Sequence, residues 1–105
     1  MSELSDKQKQ FTSMLPLLYS YIIMRGYSFS LGDAYRDKRC PYGHPMSLHK
    51  FRLAQDINLF LPDGSYVRDT EGHKPFGEFW EYIGGTWGGR FNDGNHYSLA
   101  WRGMK

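Results

Sequence analysis

The apolar positions change their period along the chain, and each change marks an element. From Ser5 to Gly26, the residues Phe11, Met14, Leu15, Leu18 and Ile22 recur at spacings of three and four, which makes one buried helix face. Ser5 can cap this helix, and Asp6 puts negative charge in the first turn, where the helix dipole favours it. Pro16 predicts a kink or a second start after Ser13, and Gly26 a stop. Tyr27 to Tyr35 has period-two character and reads as a short strand. Arg36 to Met46, with Pro41, Gly43 and Pro45, reads as a loop. Leu53 to Phe60 reads as a strand, with Leu53, Gln55, Ile57 and Leu59 on one face and Ala54, Asp56, Asn58 and Phe60 on the other. Leu61-Pro62-Asp63-Gly64-Ser65 is a turn, because proline presets φ and glycine supplies a positive φ; Tyr66 to Arg68 is the short return strand. Thr70 can cap a second helix over Glu71 to Ile83, whose stripe is Phe76, Phe79, Trp80 and Ile83 and whose stop is Gly84-Gly85. A loop containing Gly88-Gly89 and Asp93-Gly94 leads to a last strand, Tyr97 to Trp101. The order predicts an α+β fold, a small antiparallel sheet packed with an N-terminal and a central helix.

Composition narrows the class. A chain of 105 residues with 17% aromatics is one domain's worth and globular. A net charge of +2, with no basic stripe interleaved with aromatics, argues against a nucleic-acid binder. No apolar run reaches the ~18–20 residues of a membrane span, and Met14 to Met24 is interrupted by Pro16, Tyr19, Ser20 and Tyr21. The polar start MSELSDKQKQ holds no signal-peptide core, and the single Cys40 forms no internal disulfide. The expectation is a monomer made in a reducing cytosol.

The candidate chemistry lies in the histidines. His49 precedes Asp56 by seven residues, and a carboxylate set among Ala54, Ile57, Leu59 and Phe60 needs a cation, donors or a metal. Fully extended, residues 49 to 56 would span roughly 23 Å at ~3.3 Å per residue. If both ligate one zinc, the chain must fold back between His49 and Leu53. His96, at the start of the last strand, can join them. Two histidines and one aspartate leave a tetrahedral position open for water, whose pKa zinc lowers to about 7. Asp93 is then the candidate for moving the proton. Blander readings exist for each: a His–Asp hydrogen bond without metal, a half-buried strand histidine, and an Asp-Gly pair that only shapes a turn. His44 and His73 read as loop and helix-surface residues. Glu81 reads as a solvated carboxylate, with a minor role as a substitute base.

Ser47-x-His49 with Ala54-x-Asp56, and then Asp93-x-x-His96, resembles the zinc peptidases that include D-alanyl-D-alanine carboxypeptidases, dipeptidases and small phage L-alanyl-D-glutamate endolysins. The likeness to the phage endolysins extends through Gly32-Asp33-Ala34-Tyr35-Arg36, Pro75 to Tyr82 and Trp87-Gly88-Gly89-Arg90-Phe91, and covers roughly residues 28 to 101. The resemblance implies a single zinc peptidase domain over residues 1–105, with the D-Ala-D-Ala peptidase or hedgehog-like zinc fold. It implies Zn2+ held by His49, Asp56 and His96, and Asp93 as general base. Arg36 would steady the substrate carbonyl or its oxyanion, and Ser47 would position substrate. Arg36 also reads as a solvated arginine, and Ser47 as a structural residue. The family usually has Gly where this chain has Arg52; if that position takes positive φ, arginine is strained there by ~1 kcal/mol or more.

The expected activity is a phage-type endolysin that cuts the L-alanyl-D-glutamate bond of peptidoglycan. The protein would be stored in the host cytoplasm and act on the periplasmic wall after release. The alternatives are a D-alanyl-D-alanine carboxypeptidase, with Arg90 or Arg102 to hold the terminal carboxylate, and a non-catalytic wall-binding or structural phage protein that keeps its zinc.

Overall fold

A computed structural model describes residues 3–32 and 48–103, with His49 and Lys50 described by backbone alone. Helix α1 spans Glu3–Met24, strand β1 Ser28–Leu31, strand β2 Ala54–Phe60, helix α2 Lys74–Tyr82, strand β3 Thr86–Trp87 and strand β4 His96–Ser98. Single turns of 3-10 helix cover Leu48–Phe51, Glu71–His73 and Gly88–Phe91. The strands form an antiparallel sheet in the order β1-β2-β4-β3. The α+β expectation holds.

The two amphipathic stripes build the core. Phe11, Met14, Leu18 and Ile22 of α1 are buried, as are Phe76 and Trp80 of α2, while Leu15, Phe79 and Ile83 pack at its margin. Phe11 meets Trp80 edge-on at 5.8 Å, and Trp80 meets Tyr97 edge-on at 6.3 Å. The sheet face carrying Gln55, Ile57, Leu59, Trp87 and Tyr97 therefore looks toward the helices. By strand alternation the opposite face carries Asp56, Asn58 and His96.

The boundaries differ from expectation for local reasons. Helix α1 runs through Pro16 and begins at Glu3, ahead of Ser5. The central helix is split, with a 3-10 turn at Glu71–His73 and the α-helix starting at Lys74. Pro75 has no N–H to give the Glu71 carbonyl, so a continuous α-ladder is closed to this stretch. Thr70 does not cap: its φ of −62° and ψ of −37° are already helical, whereas an N-cap needs an extended backbone. The Asp69 carboxylate takes the Gly72 N–H instead, at 2.9 Å. The return strand after the Pro62-Asp63-Gly64 turn shrinks to one bridge, Phe60 with Tyr66. The last strand is shifted toward its N-terminus and ends at Ser98. Residues 33–46, the end of the expected first strand and the loop after it, lie outside the described residues.

Candidate metal centre and its neighbouring turn

The 3-10 turn Leu48–Phe51 folds the chain back on itself just before β2. Leu48 and Leu53 are buried, anchoring both ends of the turn in the core. The Leu53 N–H closes onto the Leu48 carbonyl at 3.0 Å, a six-residue loop of the kind that ends helices through a left-handed residue. That residue is Arg52, at φ 59°. A non-glycine residue in this left-handed region carries backbone strain, as positive φ at Arg52 predicts. From α1, the Gln8 amide donates to the Phe51 carbonyl at 2.8 Å and ties the turn to the helix.

Asp56 and His96 are direct cross-strand partners on β2 and β4. His96 Nδ1 lies 3.5 Å from Asp56 Oδ1, with side chains 7% and 21% exposed. Asp56 is therefore half-open, not the carboxylate in an apolar strand interior that the sequence suggested. The separation is long for a charge-assisted hydrogen bond, which closes to about 2.7–2.9 Å. It matches two donors on one tetrahedral ion, which stand roughly 3.3–3.6 Å apart when each is about 2.0–2.2 Å from the metal. The imidazole–carboxylate pair is thus suited to two vertices of a zinc site. The third predicted ligand, His49, lies on the folded-back turn, but its side chain is outside the described residues. Among the described residues no group of three His, Cys, Asp or Glu side chains gathers. Arg36 and Ser47 also lie outside the described residues, as do Cys40 and His44.

Asp93 is exposed on the turn that enters β4. Its N–H bonds the Gly88 carbonyl at 2.8 Å and its carbonyl takes the His96 N–H at 3.1 Å. Asp93 thus shapes the turn with its backbone while its side chain faces solvent, so the turn-forming and proton-moving readings are compatible. Gly88 is buried, and a Cβ there would clash with the Asp93 carbonyl oxygen and lie 2.7 Å from His96 Cβ. Glycine is needed because the chain before the turn presses directly on the residues it presents.

Other candidates are spoken for. Glu81 holds Arg90 through two bonds, Nε to Oε2 at 2.9 Å and Nη2 to Oε1 at 2.7 Å. The bond from Arg90 keeps the Glu81 carboxyl below the usual range. The Arg90 guanidinium also lies over the Trp87 ring at 5.3 Å. Arg102 lies over Trp101 at 4.9 Å. His73 is not a helix-surface residue: it is buried, with Nδ1 2.8 Å from the Tyr97 hydroxyl. The sequence offered no warning, since a lone histidine at the start of a helix is ordinarily solvated.

The α+β domain thus sets an imidazole and a carboxylate side by side on neighbouring strands, next to a turn bearing an exposed aspartate. The D-alanyl-D-alanine carboxypeptidase family model matches residues 42–99, more than half of the chain, and the protein belongs to that family of peptidases. The match contains His49, Asp56, Asp93 and His96. No curated protein matches the chain. No helix among the described residues is long and apolar enough to cross a membrane.

Proposed function

We propose that the protein is a zinc-dependent peptidoglycan peptidase that hydrolyses the L-alanyl-D-glutamate bond of the wall stem peptide, as phage endolysins do. The observation that carries this reading is the Asp56–His96 pair, spaced as two ligands of one ion rather than as a hydrogen bond. His49, Asp56 and His96 would hold zinc, which when bound supplies Lewis acidity and a water of lowered pKa. Asp93 accepts the proton of the attacking water and passes it to the leaving amine. Arg36 stabilises the developing oxyanion, and Ser47 orients the stem peptide. On this reading the protein waits in the host cytoplasm and meets the periplasmic wall after release. It works as a monomer on peptidoglycan, with no nucleic acid or membrane insertion involved.

The family description favours a second reading, a D-alanyl-D-alanine carboxypeptidase. Such an enzyme needs a cation for the free terminal carboxylate. Arg90 is already held by Glu81 through two bonds, and Arg102 is stacked on Trp101, which favours the endopeptidase. A non-catalytic wall-binding protein that retains zinc is the remaining reading.

Purified protein should contain zinc, and chelation should abolish digestion of purified wall fragments, with recovery on adding zinc back. Stem-peptide products with a new D-glutamate amino terminus are expected; free D-alanine would identify the carboxypeptidase instead. Asp93→Asn should keep the metal and lose hydrolysis. Full digestion after complete metal removal would defeat the proposal.

A further inference from the structure

Thr70 has the sequence position of a helix cap but does not cap, and its hydroxyl oxygen is used elsewhere. It accepts the Gly94 N–H at 3.2 Å, across 24 residues of chain. The carbonyl of the same residue accepts the Trp87 indole N–H at 2.8 Å, in a buried bond. The two polar groups of Gly94 are thus met by two side chains from different elements. A Cβ on Gly94 would come within 2.6 Å of Thr70 Cα, so the two backbones are in near contact. Around this point the turn is held at every step: Asp93 N–H to Gly88, Asp93 carbonyl to His96, and Asn95 carbonyl to Ile57 N–H at 2.9 Å. The Thr70 and Trp87 bonds come from side chains, and both converge on the residue next to Asp93 and two before His96.

We propose that Thr70, together with Trp87, is a positioning residue for the peptidase reaction: the pair clamps the Gly94 peptide and so fixes where Asp93 and His96 stand. The role in catalysis rests on the zinc-peptidase reading above; the clamp itself does not. Thr70 acts through the Gly94 peptide that its hydroxyl holds. It acts through a turn whose displacement by about 1 Å is enough to cost a reaction on the order of 100-fold.

The test uses an isosteric pair of variants in the full chain. Thr70→Val keeps the shape and removes the acceptor, leaving the buried Gly94 N–H without its partner, whereas Thr70→Ser keeps the oxygen. In apo-protein, amide exchange followed by NMR should show Gly94 N–H exchanging at least about 10-fold faster in Thr70→Val and near wild-type rate in Thr70→Ser. The Trp80 indole N–H, bonded to the Ser98 carbonyl at 2.8 Å, reports global opening, and Thr70→Val should accelerate it less than it accelerates Gly94. In zinc-loaded enzyme, Thr70→Val should lower kcat about 10-fold or more with KM within about twofold, and Thr70→Ser should restore it. Unchanged Gly94 exchange, or equal acceleration of Gly94 and Trp80, overturns the clamp. Loosening of Gly94 with an unaltered kcat overturns its catalytic role. Should Gly94 loosen more than Trp80 while the wild-type protein neither binds zinc nor cuts stem peptides, the clamp stands and the peptidase reading falls.

Discussion

Arg52 is where a single residue works against its backbone. A side chain at φ 59° costs about 1 kcal/mol that glycine avoids, while glycine adds freedom to the unfolded chain. The balance favours glycine at a left-handed helix end, so Arg52→Gly should raise stability by about 0.5 kcal/mol, seen as a higher urea midpoint at unchanged slope. A lower midpoint would mean that the arginine side chain contributes more than its backbone costs. Asp56 and His96 present the opposite case, two side chains whose spacing makes sense for a shared ion. Asp56→Ala and His96→Ala should each weaken zinc binding by more than about 100-fold, measured by competition with a chromophoric chelator. If the pair were only a structural contact, both variants would bind zinc as wild type does.

At the scale of elements, α2 and β3 meet through a glycine. A Cβ on Gly77 would run into the Trp87 ring, and both residues are buried. Gly77→Ala should therefore destabilise the fold by about 1–3 kcal/mol through overpacking, although alanine is the better helix former, and urea denaturation measures the loss. Stabilisation by this change would show that the indole can move aside freely. The helices themselves were legible because their stripes, Phe11-Met14-Leu18-Ile22 and Phe76-Trp80, follow the helical period, and β2 was legible by its alternation. The break before Lys74 was not, because Thr70, Glu71 and Pro75 satisfy the composition of a helix start while the conformation of Thr70 rules out capping. The role of Gly77 was hidden as well, since a glycine inside a helix signals a close approach only once the approaching ring is known. The juxtaposition of Asp56 and His96 was readable as a requirement of chemistry. The clamp on Gly94 was not, because it depends on register between segments 24 residues apart and leaves no local pattern.

Across the whole molecule, the buried His73–Tyr97 pair couples folding to pH. Burial drives the His73 imidazole down from 6.5 to about 4, against a weaker upward pull from the Asp69 carboxylate, and burial also pushes the Tyr97 hydroxyl up. Between those two values the unfolded chain binds a proton at this histidine that the folded chain does not. Stability therefore rises with pH through the window, is fully present above about 6.5, and is lost progressively as the pH falls toward 4. The site is nearly sealed from solvent, at 3% exposure, so the loss reaches about 3 kcal/mol at the acid end. A small domain with one core has little stability to spare, and this one interaction should set much of its acid limb. Urea midpoints measured at pH 7.5 and pH 4.5 should differ more for wild type than for His73→Gln, which carries no titrating group but can still bond the Tyr97 hydroxyl. Since Tyr97 follows His96 directly on β4, acid unfolding that starts at His73 would release the proposed metal-binding strand with it. Equal pH dependence in the variant would assign the acid limb to carboxylates elsewhere in the fold.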